Sequence, residues 1–397
     1  MRALEAFPGA SCPLIPLVLL AAFQSAQWAL AQEHAAGTIA MAPSSDLSSA
    51  FPPAEWTRIG RSVDIGLAWL ATQQADDGSF PTNPVGQPAV TSMAVMAFLS
   101  RGHLPGHGRY GKQLDRAIDY VLAQQSRRGY FSLLPIAPSV GHLKPPQTLL
   151  YNHSISGLML GEVYGMTSGD RSQHIEKAIS EALLFSRSVQ SRQKQHPDEA
   201  GGWRYAFPES PTANSDISVT GWALMFYRSA RNAEFEVPKQ YFDEGLDFIA
   251  RCYVSELDQR TEGVFRYRPL TVQSEARPTL ANTGSAMLAL LLGGQHESEM
   301  VAAGVEWYLS RAYPSPAQGA HFYLASYYSS QAMAQVGGAT WDHVYPQIVD
   351  QLLKEQAADG SWPAGRANEV SFGSTYATSL AVLALTPPYQ LLPIYQR

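Results

Sequence analysis

The sequence predicts an all-α fold of six helix-pair repeats in two layers, and three observations predict it. A short pattern recurs six times between residues 67 and 385: an amphipathic stretch, a Gly-aromatic turn, and a second apolar stretch that opens on Ser or Thr. The first stretches place apolar residues at helical spacing, as with Val63, Gly66, Leu67 and Leu70, or Leu114, Ile118, Val121 and Leu122. The second stretches, such as Met93 to Leu99 and Ser379 to Leu385, are apolar on most faces, which suits helices in an interior. Six pairs stack openly or close into a ring, and a ring with polar-faced outer helices and apolar inner helices is the economical arrangement.

In chain order, residues 1 to 31 read first as an export signal. Arg2 precedes an apolar run from Leu14 to Phe23, and Ala29-Leu30-Ala31 supplies a small-x-small cleavage site. The run falls short of the roughly 20 apolar residues that a spanning helix needs. The mature chain is therefore expected to be exported, periplasmic or extracellular, with no integral membrane span. Cleavage near Ala31 removes Cys12 and leaves Cys252 alone, so no intramolecular disulfide is expected. Residues 32 to 54, rich in Ala, Ser and Pro, are expected to be a flexible linker, and residues 55 to 397 the repeat domain.

Within the repeats the clearest turns are Gln74-Ala75-Asp76-Asp77-Gly78-Ser79-Phe80 and Gln356-Ala357-Ala358-Asp359-Gly360-Ser361-Trp362. Weaker versions stand at Gly129-Tyr130-Phe131, Gly201-Gly202-Trp203 and Gly263-Val264-Phe265, and the fifth copy is the most degenerate. The Asp-Gly pair supplies a residue that tolerates positive φ and so ends the helix. The second stretches place a hydroxyl at Thr91, Ser156, Thr220, Thr283, Ser326 and Thr378, 43 to 65 residues apart, the length of a two-helix unit. The run Gln190 to Glu199 reads as a solvated loop that lengthens the third repeat.

Composition narrows the function. With 45% hydrophobic and 16% charged residues, the chain can bury a large core. A net charge of -6 and a pI near 5.9 argue against a nucleic-acid partner, which calls for a basic face. No H-E-x-x-H, C-x-x-C or paired-His spacing marks a metal site, and no cofactor is expected. Polysaccharide processing requires two carboxylates across a cleft. The visible candidates do not supply them, since Asp76, Asp77 and Asp359 are turn residues and Asp198 and Glu199 fall in the loop.

The Q-x-x-D-G-x-W turn at Gln356 to Trp362, its Phe-ended twin at Gln74 to Phe80, and Ser218-Val219-Thr220-Gly221-Trp222-Ala223-Leu224-Met225 resemble the repeats of squalene and oxidosqualene cyclases and of protein prenyltransferase β subunits. The resemblance covers about residues 60 to 386. It implies an (α/α)6 toroid whose inner-helix N-termini gather at one mouth of a central apolar cavity. The chemistry does not follow. The cyclases protonate an alkene with the middle aspartate of D-x-D-D-T-A, and aligning its Thr with Thr220 puts the three positions at Asp216, Ser218 and Val219. Only the first is acidic here. The prenyltransferase zinc needs an Asp, a Cys and a His together, whereas Cys252 lies in an outer-layer segment.

The residues left at the expected mouth are Asp216, Asn152, His153, Asn282, Tyr323 and Tyr376, with Thr220 and Trp222 just inside it. One reading makes Asp216 and His153 an acid/base or ligand-orienting pair, with the others contacting ligand. The plainer reading makes Asp216, Asn152 and the hydroxyls N-caps and local hydrogen-bond partners. The functions that follow are binding of an apolar or isoprenoid-like small molecule or of a protein partner without the family's catalysis, a divergent cyclase or transferase using Asp216, or a secreted scaffold. Whether the chain is an enzyme stays open at this point.

Overall fold

Both helix types foreseen in the sequence form, in alternation: α1 Pro53–Gln73, α2 Ala89–Leu99, α3 Gly111–Ala123, α4 Pro145–Val163, α5 Gly169–Gln190, α6 Ile217–Asn232, α7 Lys239–Arg251, α8 Leu280–Leu292, α9 Glu299–Leu309, α10 Phe322–Val336, α11 Gly338–Glu355 and α12 Gly373–Leu385. The structure is a computed structural model that describes residue 44 and residues 46–134, 145–205, 212–255, 262–273, 277–317, 321–364 and 367–396. The expected export signal, residues 1 to 31, lies outside the described residues, as does most of the expected linker. Residues 40–397 form one unit, to which the description below is confined.

The even-numbered helices are the inner layer. All eleven residues of α2 are buried, so this helix has no face for water and is wrapped by neighbours. Contacts run α2 to α4, α6, α8, α10, α12 and back to α2, which closes the inner ring. Each outer helix packs chiefly on the inner helix before it in sequence, so α3 covers α2, α11 covers α10, and α1 covers α12. The first helix therefore seals the last. Small residues let the inner helices come close: a side chain at Gly221 would collide with Ser285 of α8.

The repeated turn is the joint between pairs. Gln356 Nε2 donates to Gly360 O at 2.9 Å within its own turn and to Ser62 O at 2.9 Å on α1. Gln74 does the same with Gly78 O and Gln113 O, at 3.0 and 2.8 Å. Gly360 has φ 92° and lies against Ile65, so a Cβ would meet both strain and collision there. The repeated hydroxyl holds the other side of the turn, where Thr91, Thr220, Thr283 and Thr378 accept the backbone N–H of Phe80, Trp203, Val264 and Trp362 at 2.9 to 3.0 Å. Two repeats depart from this. Ser156 pairs with Ser92, and Ser326 is reached by the Tyr313 hydroxyl in the degenerate fifth copy.

Two expectations need correction. The described part of the linker is not a free tether: Leu47 is buried and its carbonyl accepts from Trp341 Nε1, Ser44 N donates to Pro388 O, and α1 starts at Pro53. Apolar Leu47 and Trp56 bury against α11 and hold this stretch down. The loop Gln190 to Glu199 is not merely solvated either. Gln190 and Glu199 are buried, and Lys194 Nζ donates to Gly202 O at 2.7 Å, its pKa pushed down to about 8 by burial.

The far end of the ring is covered by the chain's own tail. Ile394 and Tyr395 are buried there. The Tyr395 hydroxyl meets that of Tyr327, its carbonyl accepts from Gln335 Nε2 at 2.9 Å, and Ile394 N donates to Glu162 at 3.2 Å. Inside, Trp222 stacks on Tyr327 at 5.5 Å and sits against Tyr328 at 5.5 Å, so aromatic side chains occupy the middle of the ring.

Candidate functional site

The N-termini of the inner helices gather titratable side chains, and Asp216 is their centre. It is the N-cap of α6, where its Oδ1 accepts from Val219 N at 2.9 Å and from Ser218 Oγ at 3.1 Å. Oδ2 accepts from the Tyr267 hydroxyl at 2.8 Å and lies 3.2 Å from Arg204 Nε. Burial is the largest influence and leaves the Asp216 carboxyl above its usual value, although Val219 N–H, the Arg204 charge and the two hydroxyls pull it down. Every one of those donors favours the ionised form. Both oxygens are thus committed as acceptors.

An aromatic and cationic shell surrounds this carboxylate. The Arg204 guanidinium lies over the rings of Tyr205 and Tyr267, at 4.6 and 5.4 Å. Tyr205 and Tyr267 hydroxyls stand 3.3 Å apart, and the Tyr151 hydroxyl bonds Ser218. Glu199 pairs with Arg268 and accepts from Ser215 N at 3.1 Å, beside the residue that precedes Asp216. None of Glu199, Arg204, Tyr151 or Tyr267 was singled out as a site residue from sequence. Gly201-Gly202-Trp203 was read from sequence as a weak copy of the repeated turn.

A second acid stands at the start of another inner helix. Glu369, just ahead of α12, sits over the first turn of α10, with Leu324 N donating to its Oε1 at 3.2 Å. Burial pushes its carboxyl up to about 7, against the backbone N–H groups of Leu324, Tyr323 and Phe322. Among the described residues its Oε2 has no hydrogen-bond partner. Tyr323 and Tyr376 feel its charge, which puts these two expected residues beside Glu369 rather than beside Asp216. Glu369 precedes α12 and is held by the first turn of α10, whereas Asp216 caps α6, so the two carboxyls come from different inner helices.

The remaining expected residues have local tasks. Asn152 takes the start of α2, its Nδ2 donating to Val85 O at 2.9 Å and its Oδ1 accepting from Ala89 N at 3.4 Å. Thr220 accepts the Trp203 N–H, Trp222 stacks on Tyr327, and Asn282 lies in the first turn of α8, where Thr279 caps it. The pair of Asp216 with His153 does not form. His153 packs among Phe131, Phe185 and Phe226, with ring centroids 4.9 to 6.2 Å away, and burial pushes its imidazole down to about 3. The reason is register: His153 stands one residue past Asn152, a step of about 100° around α4 that turns its ring onto Phe185 of outer helix α5. Among the described residues no three His, Cys, Asp or Glu side chains converge as a metal site.

No protein-family model matches the chain, and no curated protein sequence matches it. Solved structures do. A variant of the type II terpene cyclase MstE from Scytonema, in complex with geranylgeranyl dihydroxybenzoate, superposes with a TM-score of 0.54 at 13% identity, covering 85% of this chain and 98% of that one. A second variant of the same cyclase, in complex with merosterolic acid A, gives 0.52 at 14% identity, with 85% and 98% covered. A wild-type glycosidase gives 0.54 at 12% identity, covering 86% of this chain and all of that one. The class defined is a terpenoid-cyclase-like helical toroid. At these identities the likeness is one of fold.

Proposed function

We propose that this toroid binds an apolar, isoprenoid-like small molecule at the mouth built around Asp216, without protonating it from that residue. The observation that carries the reading is that both Asp216 oxygens accept hydrogen bonds, from Val219, Ser218 and Tyr267, beside a cationic Arg204, so the carboxyl is engaged in capping α6 and in its own shell. Tyrosine rings on the mouth offer the flat apolar surface that such a ligand needs. The MstE structures, in complex with the substrate geranylgeranyl dihydroxybenzoate and the product merosterolic acid A, support an isoprenoid ligand by fold likeness. The export signal supports a site of action outside the cytoplasm, with cleavage near Ala31, and fractionation of the native cell checks this.

The test of binding is organic extraction of protein purified from its native source, read by gas chromatography and mass spectrometry beside native mass spectrometry. A stoichiometric linear isoprenoid is expected. Protein that is empty in both assays would refute the reading and favour a scaffold or a protein-binding surface.

One observation favours an enzymatic second reading at the same mouth. Burial pushes the Glu369 carboxyl up to about 7, and it has an oxygen without a partner among the described residues, whereas both oxygens of Asp216 are engaged, so Glu369 is the acid placed to offer a proton. A cyclic product in the extract that disappears with Glu369→Gln and persists with Asp216→Asn would establish it.

A further inference from the structure

The C-terminal ends of the inner helices carry two joined cavities well away from the mouth. One, of about 630 Å³, runs along α9 over Leu291, Val301, Val305 and Val336. The other, of about 410 Å³, opens beside Arg228 and Arg231 near the end of α6, with Ile394 of the tail on its wall. They share Leu291, His296 and Gln335, so one groove passes from an apolar limb into a basic one. Each volume lies within the range of about 300–1,000 Å³ typical of small-molecule sites. The groove has a cause in the sequence. In the degenerate fifth repeat α9 has eleven residues, the shortest outer helix described, and it leaves the ends of α8 and α10 incompletely covered.

Among the described residues the basic limb is not neutralised. Among the described residues no carboxylate pairs with Arg228 or Arg231, and Arg228 Nε is buried with no hydrogen-bond partner. Burial, then the charge of Arg231, pushes the Arg228 pKa down, as happens when two cations face each other without an anion between them. The acidic groups of the groove, Glu297 and Glu306, line the apolar limb on the α9 side. They repel an anion there and direct it to the arginines.

We propose that this groove binds an anionic amphiphile, with a carboxylate or phosphate head at Arg228 and Arg231 and a single hydrocarbon chain along Leu291, Val301, Val305 and Val336. The site is separate from the mouth and does not depend on what the mouth binds. Two guanidiniums supply charge-assisted donors to a head of either kind.

The test titrates the purified full chain with oleate and with oleyl alcohol, read by displacement of a dansylated undecanoic acid. Oleate is expected to bind at least about tenfold more tightly than the alcohol, since the chains match and only the charged head contact differs. The double variant Arg228→Gln, Arg231→Gln is expected to bring oleate to the alcohol's affinity. Ala302→Phe, which fills the apolar limb at an exposed position, is expected to weaken both ligands with the arginines intact. Equal affinity of the parent for oleate and the alcohol would overturn the proposal, as would unchanged oleate affinity in a folded double variant or in Ala302→Phe. Binding to phosphatidylglycerol vesicles without binding of oleate would also overturn it, and would assign the arginines to a bilayer headgroup.

Discussion

Replacing Glu162 by Gln should change how the stability of this protein depends on pH. Glu162 is buried on α4, where one oxygen accepts from Ser229 Oγ at 2.6 Å and the other from Ile394 N at 3.2 Å. Burial pushes its carboxyl from 4.5 up to about 7, against those two donors. The folded group therefore holds its proton over a range in which the unfolded one has lost it. Its contribution to stability is full below pH 4.5, falls as pH rises, and is gone above about 7. That displacement corresponds to about 3 kcal/mol, at about 1.4 kcal/mol for each tenfold change. A Gln stays neutral throughout, although with one acceptor oxygen it loses one of the two bonds at every pH, a constant cost of about 1–3 kcal/mol. Urea unfolding of both proteins from pH 4.5 to 8 isolates the titration, because other groups, Glu369 included, cancel in the difference. The stability of the variant relative to the parent should rise by about 3 kcal/mol across that range. A difference that stays flat with pH would refute the assignment of a neutral Glu162 in the folded protein.

Three further outcomes are expected. Thr220→Val leaves the buried Trp203 N–H without its acceptor and should lower unfolding free energy by about 1–3 kcal/mol, measured by chemical denaturation. Gln356→Ala removes the bond to Gly360 O that closes the last turn and the bond to Ser62 O that joins it to α1, and should cost about 2 kcal/mol, with faster limited proteolysis within Pro53–Gln73 than elsewhere. Truncation after Leu392 removes buried Ile394 and Tyr395 and should cost about 4 kcal/mol, with Trp222 fluorescence becoming more accessible to acrylamide.

The architecture was legible because its signals are local and repeated. Gln356 and Gly360 stand four residues apart and bond each other, and Thr378 holds the Trp362 that ends the same turn. Asp216 was legible for a similar reason, as a cap three residues before the N–H it accepts. What escaped notice depends on partners distant in sequence. Glu369 acquires its setting from the first turn of α10, in the preceding repeat, and nothing around residue 369 announces that. Glu199 looked solvated until Arg268 closed on it from the next repeat. His153 was misplaced because it stands one residue past Asn152, and one residue's step of about 100° around a helix sends a side chain to another wall. Leu47 and Tyr395 lie in stretches of low regularity, whose burial no periodicity reports.

The contact of α1 with α12 also governs the order in which the molecule can be made. A repeat array assembles by neighbour-to-neighbour growth, but here the final neighbour of the last inner helix is the first outer one. The closing contacts span almost the whole chain, with Gln356 and Ser62 separated by 294 residues, so they form late and lengthen the search. Until then α12 presents an uncovered apolar flank and α1 an unused one. Two unfinished chains in proximity could satisfy both by exchanging first helices, which makes the Pro53–Gln73 segment the natural element for a domain-swapped dimer at high concentration.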